Sequence, residues 1–214
     1  MNGKETMVRK LISYFGGLMI MTLGVIISVK SDLGVTPISS IPYTITIVSG
    51  LDLGITTMLF SVLMVVLQIL VLGKRYELIN LLQLPISLLF GAFMTASGQL
   101  LKGIPQPESL LFRLILMLIS TVVVAFGVFL YISPGFVPLS PEGFVIALSK
   151  VTKKPFASIK VFYDVSMVLI SMVTCLVMVH SLGSVGIGTV VSAVLIGNEV
   201  KVFTKLFHSG KNES

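Results

Sequence analysis

Asp164 is the side chain with the sharpest chemical implication in this sequence. It follows Phe162-Tyr163 and precedes Val165-Ser166-Met167-Val168-Leu169-Ile170, so its carboxylate falls about one turn inside an apolar run. An acidic group at the centre of such a run costs about 2.5–3.5 kcal/mol to insert, less near an end. A cavity or a partner must offset that cost. Two roles fit: a site for an ion, a proton or a cationic substrate group, or an ion pair with Lys160, four residues earlier on the same helix face.

A second set of groups lies beside two Gly/Pro loops. Asp32-Leu33-Gly34-Val35-Thr36-Pro37 and Ser133-Pro134-Gly135-Phe136-Val137-Pro138 each lead into a short apolar segment. If helices begin there, their first amides and positive dipole ends favour an anionic group. Ser39, Ser40 and Thr44 would add hydroxyls in the first segment, and Ser140 and Glu142 oxygen atoms in the second. Gly34, Pro37, Gly135 and Pro138 would shape the loop and helix start. Ser39 and Ser140 serve equally well as helix caps, and Glu142 as compensation for the helix dipole.

Other motifs carry less. Gly183-Ser184-Val185-Gly186-Ile187-Gly188-Thr189 lacks the GxGxxG order and follows no strand, which argues against dinucleotide binding. Gly186, Gly188 and Gly197, and Gly17, Gly24 and Ser28 earlier, suit close helix packing. Asn198-Glu199 resembles an interfacial polar cluster near the end of the last apolar run. Cys175, the single cysteine, excludes a disulfide within the chain. There is no CxxC, no HExxH and no Cys/His metal spacing, and His180 and His208 sit at or beyond the ends of apolar runs. The expectation is therefore no metal, no cofactor and no enzymatic nucleophile–base pair.

The elements that must hold these groups follow from composition. The 214 residues are 55% hydrophobic and 11% charged, with a mean hydropathy of +1.04. A soluble domain carries roughly 25% charged residues, so this chain cannot clothe a water-facing body and lipid must cover much of it. The net charge of +6 comes from short basic clusters between apolar runs, which fits loops at the cytoplasmic face and not a nucleic-acid surface. Lys4, Arg9 and Lys10 precede a 19-residue apolar run with no small-residue cleavage site, so it is expected to stay as the first span.

An apolar helix needs about 20 residues to cross the hydrocarbon. Six stretches qualify or nearly do: 11–29, 55–72, 78–101, 110–132, 161–180 and 185–203. The third contains Pro85 and the polar Asn80, Gln83 and Gln99. Segments 38–49 and 139–151 are apolar but short, reaching about 20 Å of a core about 30 Å thick. They are expected to be re-entrant or half-helices, or else short tilted spans.

The short segments also suggest an internal duplication, with halves 11–102 and 110–207. Gly34, Pro37 and Ser39 fall on Gly135, Pro138 and Ser140 at an offset of 101, and Ile45 falls on Ile146. Gly24-Val25 matches Gly127-Val128 with a two-residue shift, and Phe90-Gly91 matches Ile196-Gly197 after a five-residue adjustment. Three crossings per half would make the repeat inverted; four would make the halves parallel. Lys and Arg divide 12 inside (Lys4, Arg9, Lys10, Lys74, Arg75, Lys150, Lys153, Lys154, Lys160, Lys201, Lys205, Lys211) to 3 outside (Lys30, Lys102, Arg113) with six spans. Eight spans exchange two pairs and leave the same count, so charge places both termini in the cytoplasm without choosing. Segment length favours six.

Asp32-Leu33-Gly34-Val35-Thr36-Pro37 after the first span, with Gly186-Ile187-Gly188-Thr189 and Gly197 in the last, resembles the YczE/YyaS/YitT group of small bacterial membrane proteins. Members of that group often carry Trp-Asp directly after the loop proline, where Ile38-Ser39 stands here, and Pro after the final glycine, where Asn198 stands. The resemblance implies a multipass bacterial plasma-membrane protein and brings no catalytic residues with it. The sequence thus predicts an all-α polytopic bundle of six main spans and two short Gly/Pro-initiated helices. Its expected role is a small-solute permease with a site between the halves. The alternative is a non-transporting membrane accessory, a sensor, scaffold or subunit of a larger membrane complex that binds another membrane protein through its Gly-rich faces, and either role allows a homo-oligomer.

Overall fold

The computed structural model describes residues 2–209, with side chains over 7–207. Lys211, the side chains of Lys4 and His208, and both chain ends, whose cytoplasmic placement the charge pattern predicts, lie outside the described residues. Among those residues the chain is all-α and has no strand. Eight α-helices follow one another: α1 (Asn2–Ser31), α2 (Pro37–Ser49), α3 (Leu53–Leu72), α4 (Gln83–Leu100), α5 (Leu110–Ile132), α6 (Ser140–Thr152), α7 (Phe156–Met178) and α8 (Ile187–Ser209). Two 3-10 turns, Gly73–Arg75 and Leu78–Leu82, join α3 to α4. Six stretches of helix are long and apolar enough to cross a membrane: Met7–Ser31, Leu53–Arg75, Leu78–Leu100, Leu110–Ile132, Phe156–Met178 and Ile187–Phe207. The protein is a multipass membrane protein. α2 and α6 have 13 residues each, about 20 Å of rise, too short to cross.

Local chemistry sets the boundaries. α2 starts on Pro37, whose missing N–H costs nothing in a first turn, after Gly34 at φ +100°. The Asp52 carboxylate caps α3 by accepting from the Gly54 N–H at 2.8 Å and from the Thr95 hydroxyl. Gly73, at φ +50°, ends α3 by donating its N–H to the Ile69 carbonyl. α6 ends at Lys153 in the left-handed region, and Pro155 opens α7. α7 therefore begins at Phe156, five residues before the apolar run predicts, and Asp164 is its ninth residue instead of lying one turn in. α8 runs on to Ser209, so Glu199, expected near the end of its span, is the thirteenth of 23 residues.

The chain forms two compact units. One comprises Met1–Thr36, Ala96–Phe136 and Ile187–Ser214, and the other Pro37–Thr95 and Val137–Gly186. Neither coincides with the sequence halves 11–102 and 110–207, because each draws helices from both.

In the first unit α5 packs against α1 and α8. A Cβ built on Gly17 would stand 2.5 Å from the Tyr131 nitrogen and 2.7 Å from the Gly127 oxygen, and one on Gly24 2.7 Å from the Val124 nitrogen. Glycine at both positions is what lets the two backbones touch. Seven residues forward on α1 is seven back on α5, so the two helices are antiparallel. α5 and α8 instead advance together, through Thr121 with Glu199, Phe126 with Phe203 and Phe129 with Phe207. They are parallel. Six spans give both directions; eight would reverse both.

In the second unit α2 packs on α7 and α3 on α6. Phe60, Met64, Val145, Ile159, Tyr163 and Met167 form its apolar centre. Leu59, Leu63, Leu70, Val165, Leu169 and Val173 stay exposed on its long helices, as surfaces that lipid would cover.

Candidate functional site

Two buried polar seams run through the second unit, each at the start of a short helix. At α2, the Ser40 hydroxyl lies 3.0 Å from that of Ser171 on α7 and also donates to the Pro37 carbonyl at 2.7 Å. One turn on, the Thr44 and Ser184 hydroxyls are 2.5 Å apart, with the Cys175 sulfur 3.6 and 3.7 Å from them. Both pairs between α2 and α7 advance four residues on each helix, so these helices are parallel.

At α6, the side-chain N–H groups of Gln68 on α3 are both used. They donate to the Gln83 side-chain oxygen at 2.9 Å and to the Ser140 carbonyl at 3.0 Å. The Ser140 N–H donates to the Ser87 hydroxyl at 3.2 Å, and the two hydroxyls are 2.8 Å apart. A Cβ on Gly143 would stand 2.6 Å from the Gln83 amide nitrogen, so only glycine admits the Gln83 side chain against α6. Unpaired buried amides and hydroxyls cost about 1–3 kcal/mol each. Every hydroxyl and amide named in these seams has a protein partner.

The sequence-predicted groups therefore separate. Ser40, Thr44 and Ser140 are buried and engaged. The first amide of α6 goes to Ser87, so it is not open to an anion. Ser39 is also buried, and Glu142 is half-buried in the first turn of α6. Asp164 pairs with Lys160 on its own helix, Nζ lying 2.5 and 2.6 Å from the two oxygens, with about a quarter of each side chain exposed. Lys160 also lies 5.8 Å from the Tyr163 ring centroid.

Gly34 and Gly135 have positive φ, Pro37 begins α2, and Pro138 stands two residues before α6. Gly188 lies close against the Leu33 carbonyl, to which it donates at 2.7 Å, and Gly186 is half-buried just before α8. Gly197 is exposed. A Cβ there would meet nothing within 4 Å among the described residues, because the position faces away from the chain.

Sequence reasoning did not single out Gln68, Ser87, Ser171 or Ser184 as partners. The usable signal was a polar residue recurring at helical spacing within an apolar run, as in Gln83 with Ser87 and Ser171 with Cys175. In the first unit, Arg113 joins Asp32 at 2.9 Å and donates to the Pro107 carbonyl at 2.8 Å, while Lys30 donates to the Ile104 carbonyl at 2.8 Å. The three cations assigned outside thus include two that fasten one cluster of loops. Among the described residues no three His, Cys, Asp or Glu side chains are grouped to hold a metal.

The chain belongs to a family of unknown function (DUF6198), whose model matches residues 8–205. No curated protein and no solved structure matches it.

Proposed function

We propose that this member of the DUF6198 family is a small-solute permease built as an inverted duplication, in the bacterial plasma membrane with both termini cytoplasmic. One observation carries the reading. The α1–α5 contacts exchange under a shift of 103 residues. Gly17 on Gly127 becomes Ser120 on Gly24, and Met21 on Gly127 becomes Val124 on Gly24, all of which are in place.

Because α1 and α5 are antiparallel, the axis relating them lies across the helices, in the membrane plane. That is the plan of transporters with inverted repeats and interrupted helices. The second unit supports it: exchanging the halves turns the α2–α7 pairing into α6–α3, and Gln68 plus 103 is Ser171. Each of those two residues reaches the start of the other half's short helix. The substrate would bind where the starts of α2 and α6 are gripped. The 12-to-3 distribution of Lys and Arg supports cytoplasmic termini, and the loop and last-span motifs support kinship with the YczE/YyaS/YitT group.

The second reading, a non-enzymatic membrane accessory, is favoured by the complete internal pairing of the seam hydroxyls, which makes them structural glue. Thermal stability of the purified protein in lipid nanodiscs, measured against panels of amino acids, organic ions, vitamins and metal ions, tests the choice. A permease gains stability with one class and loses that gain in Ser171→Ala. No gain with any panel member, together with co-purification of a stoichiometric membrane partner, overturns the permease reading.

A further inference from the structure

The geometry points to the Glu199–Thr121 pair as a proton-binding site inside the membrane span formed by α8, in which Glu199 holds a proton in place of a charge. Glu199 is the only acidic residue of α8. One of its oxygens lies 3.1 Å from the Thr121 hydroxyl on α5; the other is buried with no hydrogen-bond partner among the described residues. Thr121 has one hydroxyl proton, and its oxygen is also 2.9 Å from the Leu118 carbonyl, which can only accept.

An ionised Glu199 would compete with Leu118 for that proton and would leave its second oxygen buried without a donor. A neutral Glu199 closes the chain. Its O–H donates to Thr121, whose O–H donates to Leu118, and the remaining oxygen is a carbonyl, much cheaper to bury than a charge.

Among the described residues of α5 and α8 no cation stands opposite Glu199 to compensate a charge. On α5, the helix packed against α8, residues 114–130 include no titratable side chain, and Arg113 and Tyr131 stand eight and ten residues from Thr121. Arg113 is held by Asp32. On α8 itself Lys201 and Lys205 are exposed, and Lys201, two residues on, points to a different face. Phe126, Phe129, Phe203 and Phe207 stack one to two turns further along both helices and keep that side apolar. The ligand is a proton, and release of it would leave a carboxylate to which Thr121 is the donor among the described residues. If the chain is a permease, a step that rests on the preceding proposal, this is its proton-carrying group.

The test is infrared spectroscopy of the full chain in lipid nanodiscs at neutral pH, which needs no transported solute. A C=O stretch from one protonated carboxyl per chain is expected in the native protein, lost in Glu199→Gln and kept in Asp164→Asn. Thr121→Val should move that band to higher frequency by removing its acceptor, and this decides the matter if Glu199→Gln does not fold. Absence of a protonated-carboxyl band in the native protein, or a band unchanged in both variants, overturns the proposal. Its survival or failure is independent of whether any solute is found.

Discussion

Gly17 and Gly127 face each other so closely across α1 and α5 that neither position has room for a side chain. A Cβ on Gly127 would stand 2.5 Å from the Met21 nitrogen and 2.8 Å from the Gly17 oxygen. The obstructing atoms are backbone, so they cannot rotate away, and the helices themselves must part. Gly17→Ala is expected to destabilise by about 1–3 kcal/mol, the cost of overpacking a close contact. Gly16→Ala, next in sequence but with nothing within 4 Å, should be neutral or mildly stabilising through helix propensity. Midpoints of thermal unfolding in one detergent compare the two; equal midpoints would contradict the close packing.

Gln68 ties α3 to both α4 and α6, so losing it leaves partners stranded. Gln68→Ala deprives the Gln83 oxygen of its donor and removes one from the Ser140 carbonyl, at an expected cost of about 1–3 kcal/mol per stranded group. Gln83→Ala strands one Gln68 N–H and opens space beside Gly143. Because the two share one hydrogen bond, the double variant should cost less than the sum of the singles. Additive losses in a double-mutant cycle would show that the amides do not act together.

How legible all this was depended on the range of the physics involved. Insertion in lipid is a property of consecutive residues, so the apolar runs marked all six spans, and the brevity of 38–49 and 139–151 marked the two that do not cross. Helix ends are set by backbone hydrogen bonding and not by apolarity. That is why α7 includes Phe156–Lys160 and why Asp164 lies deeper in its helix than its apolar run implied. Partnerships across helices were least visible. Ser87 and Ser140 are 53 residues apart, and Ser40 and Ser171 are 131 apart; nothing local to either serine names the other. Asp164 and Lys160 were legible as a pair because four residues on one helix is a local distance.

Direction across the membrane gives a test of the inverted duplication. Leu51 in the α2–α3 turn and Lys154 in the α6–α7 turn are exposed and occupy corresponding places in the two halves. In a Cys175→Ser background, Leu51→Cys should react with an impermeant thiol reagent from outside the cell. Lys154→Cys should react only after the cells are opened. Labelling of both from one side would refute inverted halves, whether or not the protein moves a solute.

The Arg113–Asp32 pair is partly exposed, with 29% and 50% of the side chains open, so its charge attraction is screened and worth about 0–1 kcal/mol. Arg113 also holds the Pro107 carbonyl. Asp32→Asn should therefore change the unfolding midpoint little and less still at high salt, whereas Arg113→Ala should lower it further at every salt concentration. Equal effects of the two changes would mean that the Pro107 contact contributes nothing.

Lys160 and Asp164 offer the corresponding experiment in the second unit, where function and packing can be separated. With about a quarter of each side chain exposed, the pair stands between a surface bridge and a buried one. Lys160→Met, which abandons a carboxylate inside the span, should cost about 1–3 kcal/mol. Asp164→Asn should cost less, because lysine can extend its ammonium toward the membrane surface. Lys160→Met combined with Asp164→Asn should recover most of the loss in thermal stability. If Asp164 only neutralises Lys160, the double variant keeps any ligand-induced gain in stability that the native chain shows. If Asp164 also contacts a solute, stability returns and that gain does not, and the divergence of the two measurements would assign the residue to the binding site.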